Sequence, residues 1–438
     1  MSIENSRRND RLLWILGSIL PVVLFVSLKQ AGVVFRYFNV QTEDLTLEAA
    51  LPYMIMAIPF GVWALRIRSV FAMHCVFSVF VVCLNFVWIA TVTKFNYEID
   101  RSIFFVLASL LAFTVACRFP MRLPQMALKP KTTGIIAVML LCFLAVVVLA
   151  GSMYNFTLVG VLDIYEIRQT LEFPPLLQYA ILISVYSVGP YLVAYFLEAS
   201  RPVLLVATVL LYLLFFPITA AKAALGGMIV MLLMALAMHA MSARVTVVAL
   251  MITMLVAGIV LQWHAGDEAT SFFGIYNFRN VIIPASILDH YIEFFSSNAH
   301  THFCTIGVVA NLTDCAYDKQ LSLVMQDTYG LGNLNASFLA TEGVAALGVE
   351  WMPVVSFVCG LVLTLGVAAS QNLPDRFVLI SSAPAVSALI NTPFSTFLVS
   401  CGFVVLVLLW SCTSRELRPP ATDEPTDPVA STDGSETS

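Results

Sequence analysis

Residues 272 to 295 read FFGIYNFRNVIIPASILDHYIEFF, and within that stretch Arg279, Asp289, His290 and Glu293 stand among aromatic residues. A carboxylate beside an imidazole can take or give a proton at a reacting hydroxyl. An arginine grips phosphate oxygens through paired N–H bonds. Two further cations belong with Arg279: Arg168 in LDIYEIRQTLEFPP and Lys222 in FPITAAKAAL. Facing one membrane surface, the three suit a polyanionic lipid headgroup such as a pyrophosphate, held by guanidinium forks and a lysine point charge. The plainer readings are an Arg279–Asp289 ion pair and a Lys222 that only stretches along its helix toward the headgroups.

Membrane helices must position these residues. Of the 438 residues 60% are hydrophobic and 11% charged, against roughly 45–50% and 25% in soluble domains. Apolar runs long enough to cross a bilayer fall at 12–28, 50–66, 69–92, 102–117, 133–151, 177–197, 202–219, 223–241, 245–262, 351–369, 377–392 and 395–411. Lipid leaves no water for unpaired backbone groups, and the period-two alternation of barrel strands is absent, so helices are required. The expected fold is an all-α polytopic integral membrane protein of about 12 transmembrane helices. Residues 1–413 form the membrane domain. The segment 414–438 is rich in Pro, Thr, Asp and Ser and is expected to be a disordered cytoplasmic tail.

Basic residues orient the chain. With the N-terminus cytoplasmic, about 14 of the 22 Lys and Arg fall on the cytoplasmic side, including Arg66, Arg68, Arg118, Arg244 and Arg376. Both termini are then cytoplasmic. The first span follows SRRNDR without a small-residue cleavage site and is expected to stay as a signal anchor.

On that map the long segment 263–350 is external, with short amphipathic helices in it. Pro284 suits the first turn of a helix running to about Phe295. Ser286, Asp289, His290 and Glu293 would share one face, and Ile287, Leu288, Tyr291, Phe294 and Phe295 the other. Such a helix is expected to lie on the outer interface and present its polar face to headgroups. Cys304 and Cys315 share the segment and pair if it meets an oxidising compartment; otherwise they are free thiols. HTHFC at 300–304 has no standard zinc spacing, so no metal site is expected. YGLGNLNASF lacks the ending of a phosphate-binding loop, and its glycines are expected to turn the chain. Nine acidic residues against Arg279 and Lys319 exclude nucleic acid as a partner. Aromatic rings with Asn and Asp side chains suit sugars instead.

Taken together, IYEIR, AAKAAL, YNFRNVIIPASILDHYIEFF, GLGNLNASFLATEGVAALGVEWMPVV and INTPFSTFLVSCG resemble the Wzy-type polymerases of bacterial surface polysaccharides, over roughly residues 160–410. The resemblance implies a membrane glycosyltransferase without a cofactor at the periplasmic face of the inner membrane. It would join oligosaccharide repeat units carried on undecaprenyl pyrophosphate into O-antigen, capsule or exopolysaccharide. A flippase and a chain-length regulator are the implied partners besides membrane lipid. That chemistry needs cations at the leaving pyrophosphate, for which Arg168, Lys222 and Arg279 are candidates. It also needs a base at the attacking hydroxyl: Asp289 first, with His290 and Glu342 as alternatives. Tyr291 and Asn335 are candidates to orient sugar hydroxyls.

Rival readings stay open. An O-antigen ligase, which hands glycan to a lipid A core, shares this architecture. A transporter or lipid-linked oligosaccharide flippase fits twelve spans, although such proteins place charge at mid-membrane and often repeat their halves. A scaffold without catalysis is the third.

Overall fold

The computed structural model describes residues 3–38, 42–123, 128–158, 171–310 and 314–414. The segment 415–438, and with it nearly all of the expected tail, lies outside the described residues. Among the described residues there is no strand, and ten helices are long and apolar enough to cross a membrane. The chain is an all-α polytopic membrane protein.

The helices, in order, are α1 (Ile3–Val34), α2 (Leu47–Leu65), α3 (Val70–Val92), α4 (Ile99–Ala116) and α5 (Pro130–Tyr154). Then come α6 (Pro175–Glu198), α7 (Pro202–Thr219), α8 (Lys222–Ala237) and α9 (Ala243–Ala265). A π-helix, Gly274–Ile282, leads directly into α10 (Ile283–Ser297). The last are α11 (Leu321–Tyr329), α12 (Met352–Ser370), α13 (Asp375–Leu389) and α14 (Phe394–Cys412).

All twelve apolar runs are mainly helical; the last is broken at 399–402, where Gly402 has a φ of +73, and two are short. α8 has 16 residues and α13 has 15, which at a helical rise is about 22–24 Å against roughly 30 Å of hydrocarbon. Inside the bundle a short helix needs no full-length match to lipid, and α13 is buried from Phe377 to Ala385 without a break.

α3 is the centre. It is buried from Val70 to Ala90, as expected of a helix that is apolar all round. Ser69 caps its start by accepting the Ala72 N–H at 3.3 Å. Around it pack α1, α2, α4, α10, α12 and α13. The α4–α12 pair is the tightest because Gly360 removes a side chain there; a Cβ would sit 2.7 Å from Ala116 Cβ and 2.9 Å from the Phe113 carbonyl. Small residues let membrane helices approach in this way.

Contacts sort the helix ends into two groups. Arg66 pairs with Asp10 at 3.6 Å, Arg244 reaches the Ile67 carbonyl at 3.5 Å, and Arg376 reaches the Ala235 carbonyl at 3.3 Å. Those residues share one end of the bundle. At the opposite end the α3–α4 linker meets α10, Arg101 pairs with Glu350 at 2.5 Å, and Ser395 donates its N–H to Glu342 at 3.2 Å.

The expected surface helix is corrected here. α10 covers the expected Pro284–Phe295 stretch, but it is buried on all sides, with only Glu293 half-buried between Ile283 and Phe295. It packs against α3 on one side and the π-helix Leu339–Ala345 on the other. The physical reason is that Ser286, Asp289, His290 and Glu293 are not a water-facing stripe. Asp289 and Glu293 take hydrogen bonds from other segments, and His290 bonds back along its own helix. Much of 263–350 is thus folded into the helical core rather than spread over its surface.

Candidate functional site

Asp289 is 2% exposed, and the α3–α4 linker TKFNYE supplies its partners. The Tyr97 hydroxyl donates a short hydrogen bond to Oδ1, and the Thr93 hydroxyl donates to Oδ2 at 3.0 Å. The Thr93 oxygen also accepts the Phe95 N–H at 3.3 Å, which shapes the linker as α3 ends. Burial pushes the Asp289 carboxyl up from 3.8 to about 6; the Tyr97 and Thr93 bonds pull it down, and Glu293 one turn away pushes it up again. Burial beside Asp289 also raises the Tyr97 phenol, so it stays protonated and donates.

His290 follows at once. Its Nδ1 lies 2.7 Å from the Ser286 carbonyl; a carbonyl only accepts, so Nδ1 carries the proton and Nε2 is the free base. Among the described residues Nε2 is buried without a hydrogen-bond partner. Phe38, Phe95 and Tyr329 enclose the ring at centroid distances of 6.0, 4.9 and 4.8 Å. Burial in this aromatic box lowers the imidazole to about 4, leaving it neutral. The Tyr329 hydroxyl bonds Glu293 and lies 3.2 Å from the His290 carbonyl, which ties α11 to α10.

Beside Tyr97 opens a cleft of about 390 Å³ between the α3–α4 linker, the first turn of α4, the C-terminal half of α10 and residues 344–350. Glu98, Arg101, His300 and Glu350 are its charged or titratable walls. Arg101 is held at 3.2 Å by Glu98 and at 2.5 Å by Glu350. Partial burial and the neighbouring His302 lower the His300 imidazole.

Glu342 and Tyr291 form a separate group. Residues 289 and 291 are about 200° apart around a helix, so Tyr291 points away from the Tyr97 side. Its hydroxyl donates to the Leu334 carbonyl at 3.3 Å, next to half-buried Asn335. Glu342, 8% exposed in its π-helix, accepts from the Thr341 hydroxyl and from Ser395. Burial, with Glu342 nearby, raises the Tyr291 phenol.

The expected cations stand elsewhere. Lys222 opens α8, which packs on α7, α9 and α13, and Arg279 is exposed on the π-helix packed against α1, α3, α9 and α10. Neither lines the cleft. Arg168 lies outside the described residues. Cys304 and Cys315 are disulfide-bonded with Cα atoms 5.3 Å apart, and Gly330 and Gly332 turn the chain at φ +69 and +78.

Thr93, Tyr97, Arg101 and Tyr329 carry the site and stood outside the candidates read from sequence. Their signal is local: the linker 93–101, TKFNYEIDR, places one tyrosine and four charges between two apolar spans. Two candidate residues, Arg279 and Glu342, lie in π-helices, which are rare and concentrate at functional positions.

Fold and site define a polytopic all-α membrane protein with a buried carboxylate–imidazole–tyrosine centre at one end of its bundle. No protein-family model matches the sequence, and neither a curated protein nor a solved structure is significantly similar to it.

Proposed function

We propose that this protein is a membrane glycosyltransferase that polymerises oligosaccharide repeat units carried on undecaprenyl pyrophosphate, at the periplasmic face of a bacterial inner membrane. The observation that carries this reading is Asp289: a buried carboxylate near pKa 6, hydrogen-bonded to a tyrosine that lines a polar cleft. A base that titrates near working pH is what an attacking hydroxyl requires. What supports this orientation is the gathering of Arg66, Arg68, Arg118, Arg244 and Arg376 at the end opposite Asp289, since basic ends favour the cytoplasmic side.

In this reading the acceptor oxygen attacks the anomeric carbon of the nascent chain and gives its proton toward Asp289. The anomeric bond to the carrier breaks, and the lipid pyrophosphate leaves with the electron pair. Arg168, Lys222 and Arg279 are the cations assigned to its charge.

The test is deletion in the native bacterium, with complementation by wild type or Asp289→Ala at matched membrane levels and electrophoresis of the surface polysaccharide. A polymerase predicts single repeat units in the deletion and a ladder restored by wild type only. Long chains left on the carrier lipid would instead identify a ligase. An unchanged ladder would overturn both and favour transport.

A further inference from the structure

The cleft beside Tyr97 has the wrong charge for a pyrophosphate. Two carboxylates, Glu98 and Glu350, flank the single guanidinium of Arg101, and neither Lys222 nor Arg279 lines it. A dianionic ligand entering there meets net negative charge. A neutral polyol meets the opposite situation. The carboxylates accept hydroxyl hydrogen bonds and the guanidinium donates them, and bonds to charged partners are the stronger kind. Arg101 is 49% exposed and Glu350 40% exposed, so both still have bonding capacity toward a ligand. Tyr97 and Phe295 add ring surface to the walls, whose negative faces attract the polarised C–H groups of a sugar. At about 390 Å³ the cleft lies at the small end of the roughly 300–1,000 Å³ of ligand sites, the scale of a chain terminus rather than a long glycan.

We propose that this cleft seats a neutral sugar ring, the terminal residue of the acceptor glycan, and that Tyr97 passes its hydroxyl proton to Asp289. Tyr97 joins the two sides of the step: its hydroxyl donates to Asp289, the residue lines the cleft, and its oxygen keeps lone pairs for a sugar hydroxyl. As the acceptor oxygen bonds to the anomeric carbon, its proton moves to the Tyr97 oxygen and the Tyr97 proton moves to the Asp289 carboxylate. The pyrophosphate departs with the electrons of the broken bond. This assignment rests on the polymerase reading for the identity of the acceptor, while the sugar site itself does not.

The experiment is saturation-transfer NMR on the full-length protein in a non-glycosidic detergent. The probes are free glucose, galactose, mannose, rhamnose and N-acetylglucosamine, with glucuronate and inorganic pyrophosphate as charged comparators. At least one neutral sugar is expected to receive saturation, and Glu350→Gln is expected to cut the signal at least about fivefold, a loss of roughly 1 kcal/mol. Ser296→Trp, at an exposed rim position, fills the cleft without disturbing packing and decides the matter if Glu350→Gln does not fold. Silence from every neutral sugar, a signal untouched by Ser296→Trp, or displacement of the sugar by pyrophosphate would each overturn the proposal. Sugar binding in a protein whose deletion phenotype is that of a ligase overturns only the polymerase reading. No binding in a protein whose deletion abolishes the ladder overturns only the cleft assignment.

Discussion

Tyr97 and Asp289, 192 positions apart in sequence, meet in one hydrogen bond that joins the α3–α4 linker to the buried helix α10. It keeps a carboxylate both buried and addressable, because the same tyrosine lines the open cleft.

Tyr97→Phe keeps the ring and removes this bond. The bond favours the charged form of Asp289, so its loss raises the carboxyl further above about 6. On the polymerase reading, the acid limb of the activity pH profile, measured in membrane vesicles, is expected to move to higher pH, with the rate falling about 10²-fold or more at neutral pH if Tyr97 relays the proton. An unmoved acid limb would separate Tyr97 from the titrating group.

Asp289 and His290 act on stability with opposite signs. The Asp289 carboxyl is raised from 3.8 to about 6, so its contribution is present below 3.8 and lost as pH rises through 6. His290 is lowered from 6.5 to about 4, so its contribution is present above 6.5 and lost as pH falls through 4. Each displacement corresponds to about 3 kcal/mol, and the two nearly cancel between pH 4 and 6.5. Asp289→Asn is expected to raise the melting temperature at pH 7.5 and, on the polymerase reading, to abolish the ladder. It should also make the melting temperature fall more steeply than wild type on acidification. A variant that melts lower at every pH would show that the carboxylate stabilises the fold instead.

Gly258 on α9 faces Asn277, which is buried and donates to the Ser27 hydroxyl at 3.0 Å and the Leu255 carbonyl at 2.9 Å. A Cβ at Gly258 would overlap the Asn277 side-chain oxygen. Gly258→Ala is therefore expected to destabilise by about 1–3 kcal/mol through overpacking. Adding Asn277→Ala should recover part of the loss, read as a non-additive melting shift. Strict additivity of the two substitutions would refute the contact.

The chain has nine cysteines, of which seven are free and two form the Cys304–Cys315 pair. Alkylation of unreduced, denatured protein is expected to add seven labels, and nine after reduction. Reduction should lower stability by up to about 3 kcal/mol for a loop this short. Nine labels without reductant would exclude the bond.

What the sequence determined by itself is the part set by the solvent. Long apolar runs in lipid have one backbone solution, so the α-helical class and the positions of the apolar helices were readable from composition and run length. Pro284 likewise announced the start of α10. Tertiary structure decided how α10 is used. Its polar residues read as an amphipathic stripe because helical periodicity cannot distinguish a face toward water from a face toward buried partners. The partners of Asp289 and Glu293, Tyr97 and Tyr329, come from other segments, and no local pattern encodes a pairing across such distances. The division of the candidates was equally invisible, with Asp289 on one side of α10 and Tyr291 with Glu342 on the other. It depends on which neighbours, α3 or the π-helix 339–345, pack against each face. Sequence fixes which side chains a helix carries, and only packing fixes what each of them meets.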